Sequence, residues 1–180
     1  MNSIEYSCGI CSREGHALEF GVYEGRTIKQ MRTLLPNDIF GFDSFEGLPT
    51  DWKDTPCNKG CFSTNGNIPN IEGVTFYKGW FDQTLPTYLK IAKPISLLHI
   101  DCDLYESTKC VFEHLNDYIL PGTIICFDEW FYTKNSGELC SDHEQKYFYE
   151  WINNTGRTFE FIDFVDNTSC GHERKIVKIL

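Results

Sequence analysis

The sequence predicts an α/β fold, a mostly parallel sheet covered by helices. Three observations carry this prediction. Short apolar runs bounded by Gly, Pro or Asp recur along the chain, stretches of helical length separate them, and the final two runs have no helix between them. The runs that read as buried strands are residues 16–22, 38–43, 74–79, 95–101 and 122–128. The intervening helices are expected over 26–35, 84–92, 106–118 and 141–154, the last placing Tyr147, Phe148, Trp151 and Ile152 on one apolar face. A strand followed by a helix and another strand demands parallel pairing, because only a crossover connection returns the chain in the same direction. Residues 159–165 and 173–180 instead predict an antiparallel hairpin at the sheet edge.

At 180 residues, with 41% hydrophobic, 15% aromatic and 23% charged side chains, the chain has the composition of one globular domain spanning 1–180 and not of a disordered one. Residues 1–15 form a short N-terminal extension. Residues 50–73 form a 24-residue connection rich in Asn, Gly, Pro and Thr, and a loop of that length in a compact domain reads as a lid or binding loop. No apolar run approaches the ~18–20 residues of a bilayer span, so no membrane association is expected. The N-terminus has neither a basic stretch nor an apolar core of a secretory leader, which points to the cytoplasm. A net charge of −10 without any basic cluster disfavours nucleic acid as a partner. The nine cysteines then read as free thiols rather than bridges, although Cys8 with Cys11 and Cys57 with Cys61 have spacings that a four-thiolate zinc site would also use.

The chemistry gathers at strand ends. The first strand runs into Leu18-Glu19-Phe20-Gly21-Val22-Tyr23-Glu24-Gly25, a glycine turn that lets a ligand approach the backbone closely. It is not GxGxxG, so a dinucleotide is the weaker reading. Asp43 ends the second strand 22 residues after Gly21, where an acid holds a ribose diol in nucleotide-binding sheets, and the pair implies adenosine. The ends of the fourth and fifth strands bring Asp101, Asp103, Asp128 and Glu129 to the same sheet edge. Carboxylates so placed repel unless a proton or cation lies between them, and hard oxygen ligands suit Mg²⁺, with Mn²⁺ or Ca²⁺ less favoured.

The segments LEFGVYEGRT, GFDSFEGLPTDW, YKGWFDQTLP, HIDCDLYEST and PGTIICFDEW, in this order, resemble the macrocin and mycinamicin O-methyltransferase family of class I S-adenosylmethionine enzymes. The resemblance covers about residues 17–180. It implies a Rossmann-like class I methyltransferase fold with a seven-stranded sheet of order 3-2-1-4-5-7-6. It implies S-adenosylmethionine as cofactor, with Glu19, Gly21, Tyr23 and Gly25 around the methionine portion, Asp43 on the ribose, and Ser44 and Phe45 beside the adenosine. Gly79, Trp80 and Phe81 would lie near the adenine edge, and Asp101 would border the cofactor. A Mg²⁺ ion would be held by Asp101, Asp128 and Glu129, with Asp-Glu standing where the natural-product enzymes usually have Asp-Asp.

The activity so implied is O-methylation of a sugar hydroxyl on a glycan or glycosylated natural product. Asp101 would act at the reacting centre, and Asp103 and His143 are the candidate general bases. Trp52, Trp130 and Phe131 are expected either to form an aromatic wall for a sugar face or, for Trp130, to pack in the core. The short N-terminal region implies an acceptor site that is open or is completed by another subunit of a homo-oligomer, and a glycan acceptor rather than a small enclosed macrolide. A non-catalytic cofactor-binding module is the alternative. Ile100-Asp101-Cys102-Asp103 also matches the DxD of metal-dependent phosphatases and glycosyltransferases, although in those phosphatases DxD ends the first strand.

Overall fold

The structure, a computed structural model, describes residues 1–164 and 173–180. The elements run α1 (Ser3–Ile10), β1 (His16–Phe20), α2 (Arg26–Leu34), β2 (Asp38–Asp43), β3 (Val74–Lys78), α3 (Phe81–Tyr88), β4 (Ile95–Ile100) and α4 (Tyr105–Leu115). A 3₁₀ turn (Asn116–Tyr118) precedes β5 (Ile124–Thr133), β6 (Leu139–Cys140), α5 (Glu144–Thr155), β7 (Phe159–Ile162) and β8 (Glu173–Ile179). The sheet order is β3-β2-β1-β4-β5-β8-β7, with β6 pairing only with β5. Without the two-residue β6, this is the expected 3-2-1-4-5-7-6. β1 to β5 pair in parallel along the main sheet, and β8 runs antiparallel to both β5 and β7.

Alternation along the strands divides the core into two layers. Leu18 and Phe20 of β1, Leu98 and Ile100 of β4, and Ile125 and Phe127 of β5 face α3, α4 and α5, where Tyr88, Phe112, Phe148 and Trp151 meet them. Ala17, Leu97, Ile124 and Cys126 face the opposite layer, packed under Ile4 and Cys8 of α1 and Ile28 and Met31 of α2. The α5 face named from sequence, Tyr147, Phe148, Trp151 and Ile152, is the buried one.

Several boundaries differ from the sequence expectation. Part of the N-terminal extension is helix α1, closed by a capping box in which Asn2 Oδ1 accepts the Glu5 N–H and Glu5 Oε2 accepts the Asn2 N–H. α3 starts at Phe81, not at residue 84, because the extended Trp80 forms its N-cap. β5 runs on to Thr133, with a register irregularity against β8 between Phe127 and Phe131. That irregularity carries Asp128 and Glu129, the placement of β-bulges next to functional sites. The hairpin prediction holds for β7 and β8, while its connection at 165–172, including Cys170, lies outside the described residues.

The eight described cysteines are free. Cys8 and Cys11 pack under the sheet, and Cys57 and Cys61 pack on the long loop with Leu48, Trp52 and Tyr132, so the two pairs belong to separate clusters and do not form one four-thiolate site. Among the described residues no helix is long and apolar enough to cross a membrane.

Candidate active site

The carboxyl ends of the parallel strands open into a cavity of about 800 Å³. Its floor is the glycine turn after β1. Gly21 is left-handed (φ 91°), and a Cβ there would lie 1.7 Å from the Asp101 carbonyl oxygen, so only glycine permits β1 and β4 to deliver their ends side by side. The next loop is tied down by Asp43, whose Oδ2 accepts the Val22 and Tyr23 N–H groups while Oδ1 accepts the Phe45 N–H. The long connection closes one side, and in the structure it spans all of 44–73 between β2 and β3. Leu48, Pro49, Lys59 and Phe62 line the cavity from it, and Gly47, left-handed with its Cβ position 2.4 Å from the Gly60 and Cys61 carbonyl oxygens, lets the loop fold back on itself. Phe62 meets Tyr23 edge to face with ring centroids 6.0 Å apart.

Of the residues assigned to the cofactor from sequence, Gly21, Tyr23, Asp43, Ser44, Trp80, Phe81 and Asp101 line this cavity. Four others do not. Glu19 points into the sheet, fully buried, and its Oε1 lies 3.0 Å from His99 Nδ1. Gly25 caps α2 and lies under Pro69 and Ile71 of the long loop. Phe45 is left-handed and buried beside Phe76 in the α1/α2 layer. Gly79 donates its N–H to the Asp43 carbonyl and serves the β2–β3 junction. Of the three aromatics expected as a wall, none lines the cavity, and Trp130 takes the core alternative. Trp130 is buried among Phe127, Phe148, Tyr149 and Phe161, and Trp52 is buried against Tyr132 and His143. Phe131, half-buried, packs at the margin of the α3/α4/α5 layer and does not line the cavity. The aromatic lining instead comes from Tyr23, Phe62, Trp80 and Phe81. His143, expected as a candidate base, sits outside the cavity as the N-cap residue of α5, in tilted ring contact with Trp52 and Tyr132.

The carboxylates do converge. Asp101, Asp103, Asp128 and Glu129 all line the cavity, and two groups could each hold a metal ion, His99 with Asp101 and Asp128, and Asp101 with Asp103 and Glu129, with ligand atoms within 4.8 Å of one another in each. Asp103 stands at φ 63° in a tight turn where the Leu104 N–H reaches the Cys102 carbonyl. Burial, with Asp128 and Asp43 nearby, pushes its carboxyl up to about 7. Burial and neighbouring carboxylates also raise Asp101 and Glu129 well above the ordinary range. Glu144, at the start of α5, is a member of this group that the sequence did not reveal. It is fully buried, its Oε1 accepts the Cys102 N–H, and burial with Asp101 and Asp103 nearby raises its carboxyl well above normal. A glutamate in a first helical turn reads from sequence only as a complement to the helix dipole.

Asp128 behaves differently. Burial would raise its carboxyl, but the nearby His99 imidazole and the hydrogen-bonded Arg174 guanidinium hold it far below the usual range. Arg174 of β8 places Nε 2.5 Å from Oδ1 and Nη2 3.2 Å from Oδ2, and His99 Nε2 lies 3.9 Å from Oδ1. With Glu19 on the far side of His99, the four side chains form a polar ladder across β1, β4, β5 and β8.

Comparison with known proteins agrees with this architecture. The family model for macrocin O-methyltransferase (TylF) matches residues 69–154. A Streptomyces olivaceus protein described as 8-demethyl-8-(2,3-dimethoxy-alpha-L-rhamnosyl)-tetracenomycin-C 4'-O-methyltransferase is 28% identical over 140 residues, covering 64% of this chain. The chain spans about half (53%) of that relative's length. Among solved structures, the calicheamicin methyltransferase CalS11 superposes with a TM-score of 0.69 at 20% identity, over 98% of this chain and 76% of that one. The O-methyltransferase NovP gives 0.65 at 19%, over 98% and 77%. An O-methyltransferase from Bacillus cereus in complex with SAH gives 0.60 at 16%, over 98% and 76%. The strand order and these structural matches give the chain the class I methyltransferase fold, and its residues 69–154 are similar to macrocin O-methyltransferase (TylF).

Proposed function

We propose that the chain transfers a methyl group from S-adenosylmethionine to a sugar hydroxyl on a glycan or a glycosylated small molecule. The observation that carries this reading is the meeting, in one cavity, of the Gly21 turn, the Asp43 carboxylate and a group of buried acids. Asp43, already holding the Tyr23 and Phe45 backbones, retains acceptor capacity toward the cavity, which suits a ribose hydroxyl. Trp80 and Phe81 offer apolar surface for a purine. The cofactor supplies a methyl group that is already electrophilic, so the protein's task is to align an acceptor oxygen, keep water out and take up a proton. Leu48, Pro49 and Phe62 cover the cavity from the long loop and exclude water. Asp103, a buried carboxylate at the cavity wall, is the residue placed to accept the proton.

The acidic residues also fit a hard divalent cation. Glu129 Oε2 is buried without a hydrogen-bond partner beside two further carboxylates, an arrangement that a shared cation relieves. Such an ion, when bound, favours ionisation of a coordinated hydroxyl. The cytoplasm is the compartment that the free thiols suit.

The test is direct. Calorimetry with S-adenosylhomocysteine should show one site, and incubation with methyl-labelled S-adenosylmethionine and a panel of glycosides should transfer label to a saccharide. Failure to bind the cofactor sinks the reading. Transfer confined to non-sugar hydroxyls removes the acceptor assignment alone.

A further inference from the structure

We infer that Glu144 is a positioning residue of this site: from the start of α5 it clamps the turn between β4 and α4 in the shape that keeps the Asp103 carboxylate at the cavity wall. The inference rests on the reading of Asp103 as the acceptor of the substrate proton, and it adds a residue that lies outside the cavity lining.

A strained turn persists only where its surroundings over-determine it. Asp103 stands at φ 63°, and the Leu104 N–H reaches back across it to the Cys102 carbonyl at 2.6 Å. A three-residue turn with a positive central φ is the rare, strained form of the γ-turn. From this turn Asp103, itself buried, lines the cavity. Both flanks of the turn are tied to their neighbours. On one side the Asp101 N–H donates to the Phe20 carbonyl at the end of β1. On the other, the Leu104 carbonyl accepts the Thr108 N–H at 3.0 Å and the Thr108 hydroxyl at 3.1 Å in the first turn of α4.

Between these two anchors lies the Cys102 N–H, and its partner comes from neither flank. Glu144 Oε1 accepts it at 3.3 Å from 42 residues away. The Glu144 side chain is fully buried, and its other oxygen, Oε2, is enclosed without a hydrogen-bond partner. Burying a carboxyl group with one oxygen unmatched is unfavourable, and the seating of α5 does not require it, because Tyr147, Phe148, Trp151 and Ile152 already bury that helix against the core. What the buried glutamate secures is the turn. An interior N–H without a partner is as unfavourable as a lost hydrogen bond. Without Glu144, the Cys102 amide would rotate toward another acceptor or water, and that rotation relaxes Asp103 out of its left-handed angle.

Steady-state kinetics and crystallography test this. The acceptor probe is the glycoside of the panel that takes most label from methyl-labelled S-adenosylmethionine. Glu144→Asp keeps the carboxyl on an arm too short to reach Cys102, and Glu144→Leu keeps the volume without an acceptor. Each should lose roughly 100-fold in kcat, the order expected for a misplaced reacting group, with the acceptor KM and the affinity for S-adenosylhomocysteine within about 3-fold of the unsubstituted chain. Glu144→Gln retains an oxygen for the Cys102 N–H and should keep kcat within about 3-fold. A purely structural role would lower stability without this split between kcat and KM. Crystals of Glu144→Asp, grown with neither cofactor nor acceptor, should show Asp103 at a negative φ with its carboxylate withdrawn from the cavity wall. Undiminished kcat in Glu144→Asp, a Glu144→Gln as slow as Glu144→Leu, a loss confined to cofactor affinity, or an unmoved Asp103 would each overturn the inference. Should Glu144→Leu not melt cooperatively, Glu144→Asp and Glu144→Gln decide the matter alone. No transfer by the unsubstituted chain would sink the methyltransferase reading separately, and the crystals would still decide the clamp.

Discussion

Asp43 accepts the backbone N–H of Tyr23 at 2.7 Å through Oδ2, and the same carboxylate accepts the Phe45 N–H at 2.7 Å through Oδ1. One side chain thus fixes the two loops that form the floor of the cavity. Charge-assisted bonds of this kind are worth about 1.5–3 kcal/mol each. Asp43→Ala should lower affinity for S-adenosylhomocysteine by roughly 100-fold in calorimetry, with a smaller effect for Asp43→Asn, which keeps one acceptor oxygen.

Gly21→Ala should be far more damaging than its size suggests. The new methyl group would overlap the Asp101 backbone, which β4 holds in place, and the left-handed angle adds strain. A loss of at least about 3 kcal/mol in denaturant unfolding is expected, together with loss of cofactor binding. A variant as stable as the original chain would mean that the β1 and β4 ends are not apposed in this way.

The two aromatic sites should separate cleanly. Trp130→Ala removes a core side chain and should cost about 3–5 kcal/mol, seen as a lower Tm. Phe62→Ala, at a half-exposed position on the long loop, should change stability by no more than about 0.5 kcal/mol. It should raise the acceptor KM about tenfold, since a well-placed aromatic contact contributes roughly 1–1.5 kcal/mol.

The acids make a pH prediction whose sign is opposite to ordinary acid denaturation. Asp103 ionises near 3.8 when exposed and at about 7 in the fold, so the native state binds the extra proton between those values. The stabilisation from protonated Asp103 should therefore be lost as pH rises from about 4 to about 7, and Asp101, Glu129 and Glu144, also raised by burial, carry the decline to higher pH. Asp128, whose folded carboxyl is depressed, works the other way, and its contribution is lost only as pH drops below the ordinary carboxylate range. Urea midpoints across this window should show the decline, and Asp103→Asn should make it shallower between pH 4 and 7.

Much of the architecture was legible because it depends on alternation, which a sequence displays openly. The parallel order, the hairpin and the α5 face all followed from it. Helix α1 was missed although Asn2 and Glu5 carry the spacing of a capping box, because a short polar segment shows too little apolar periodicity to draw attention. The cavity residues were found where they sit at strand ends. Trp130 stayed open between wall and core, and Glu19 was set beside the cofactor, for a common reason: the motif gives a position along the strand, while the face on which the side chain falls is set by parity and by bulges. Asp128 and Glu129 show the limit most clearly. Their adjacency suggested a shared role, and both line the cavity, yet Asp128 is also held by Arg174, a partner 46 residues later that no local motif reveals.

The polar ladder has a consequence for the order of assembly. Glu19, His99 and Asp128 are all translated before Arg174, so a nascent chain lacking β8 carries an acid at the edge of its future site with no guanidinium to hold it. Since a domain folds as a unit, the acidic wall is completed only when β8 has docked between β5 and β7. Arrival of β8 then supplies both the antiparallel neighbour of β5 and the charge that fixes Asp128. The charge balance of the cavity wall thus depends on a strand that does not line it.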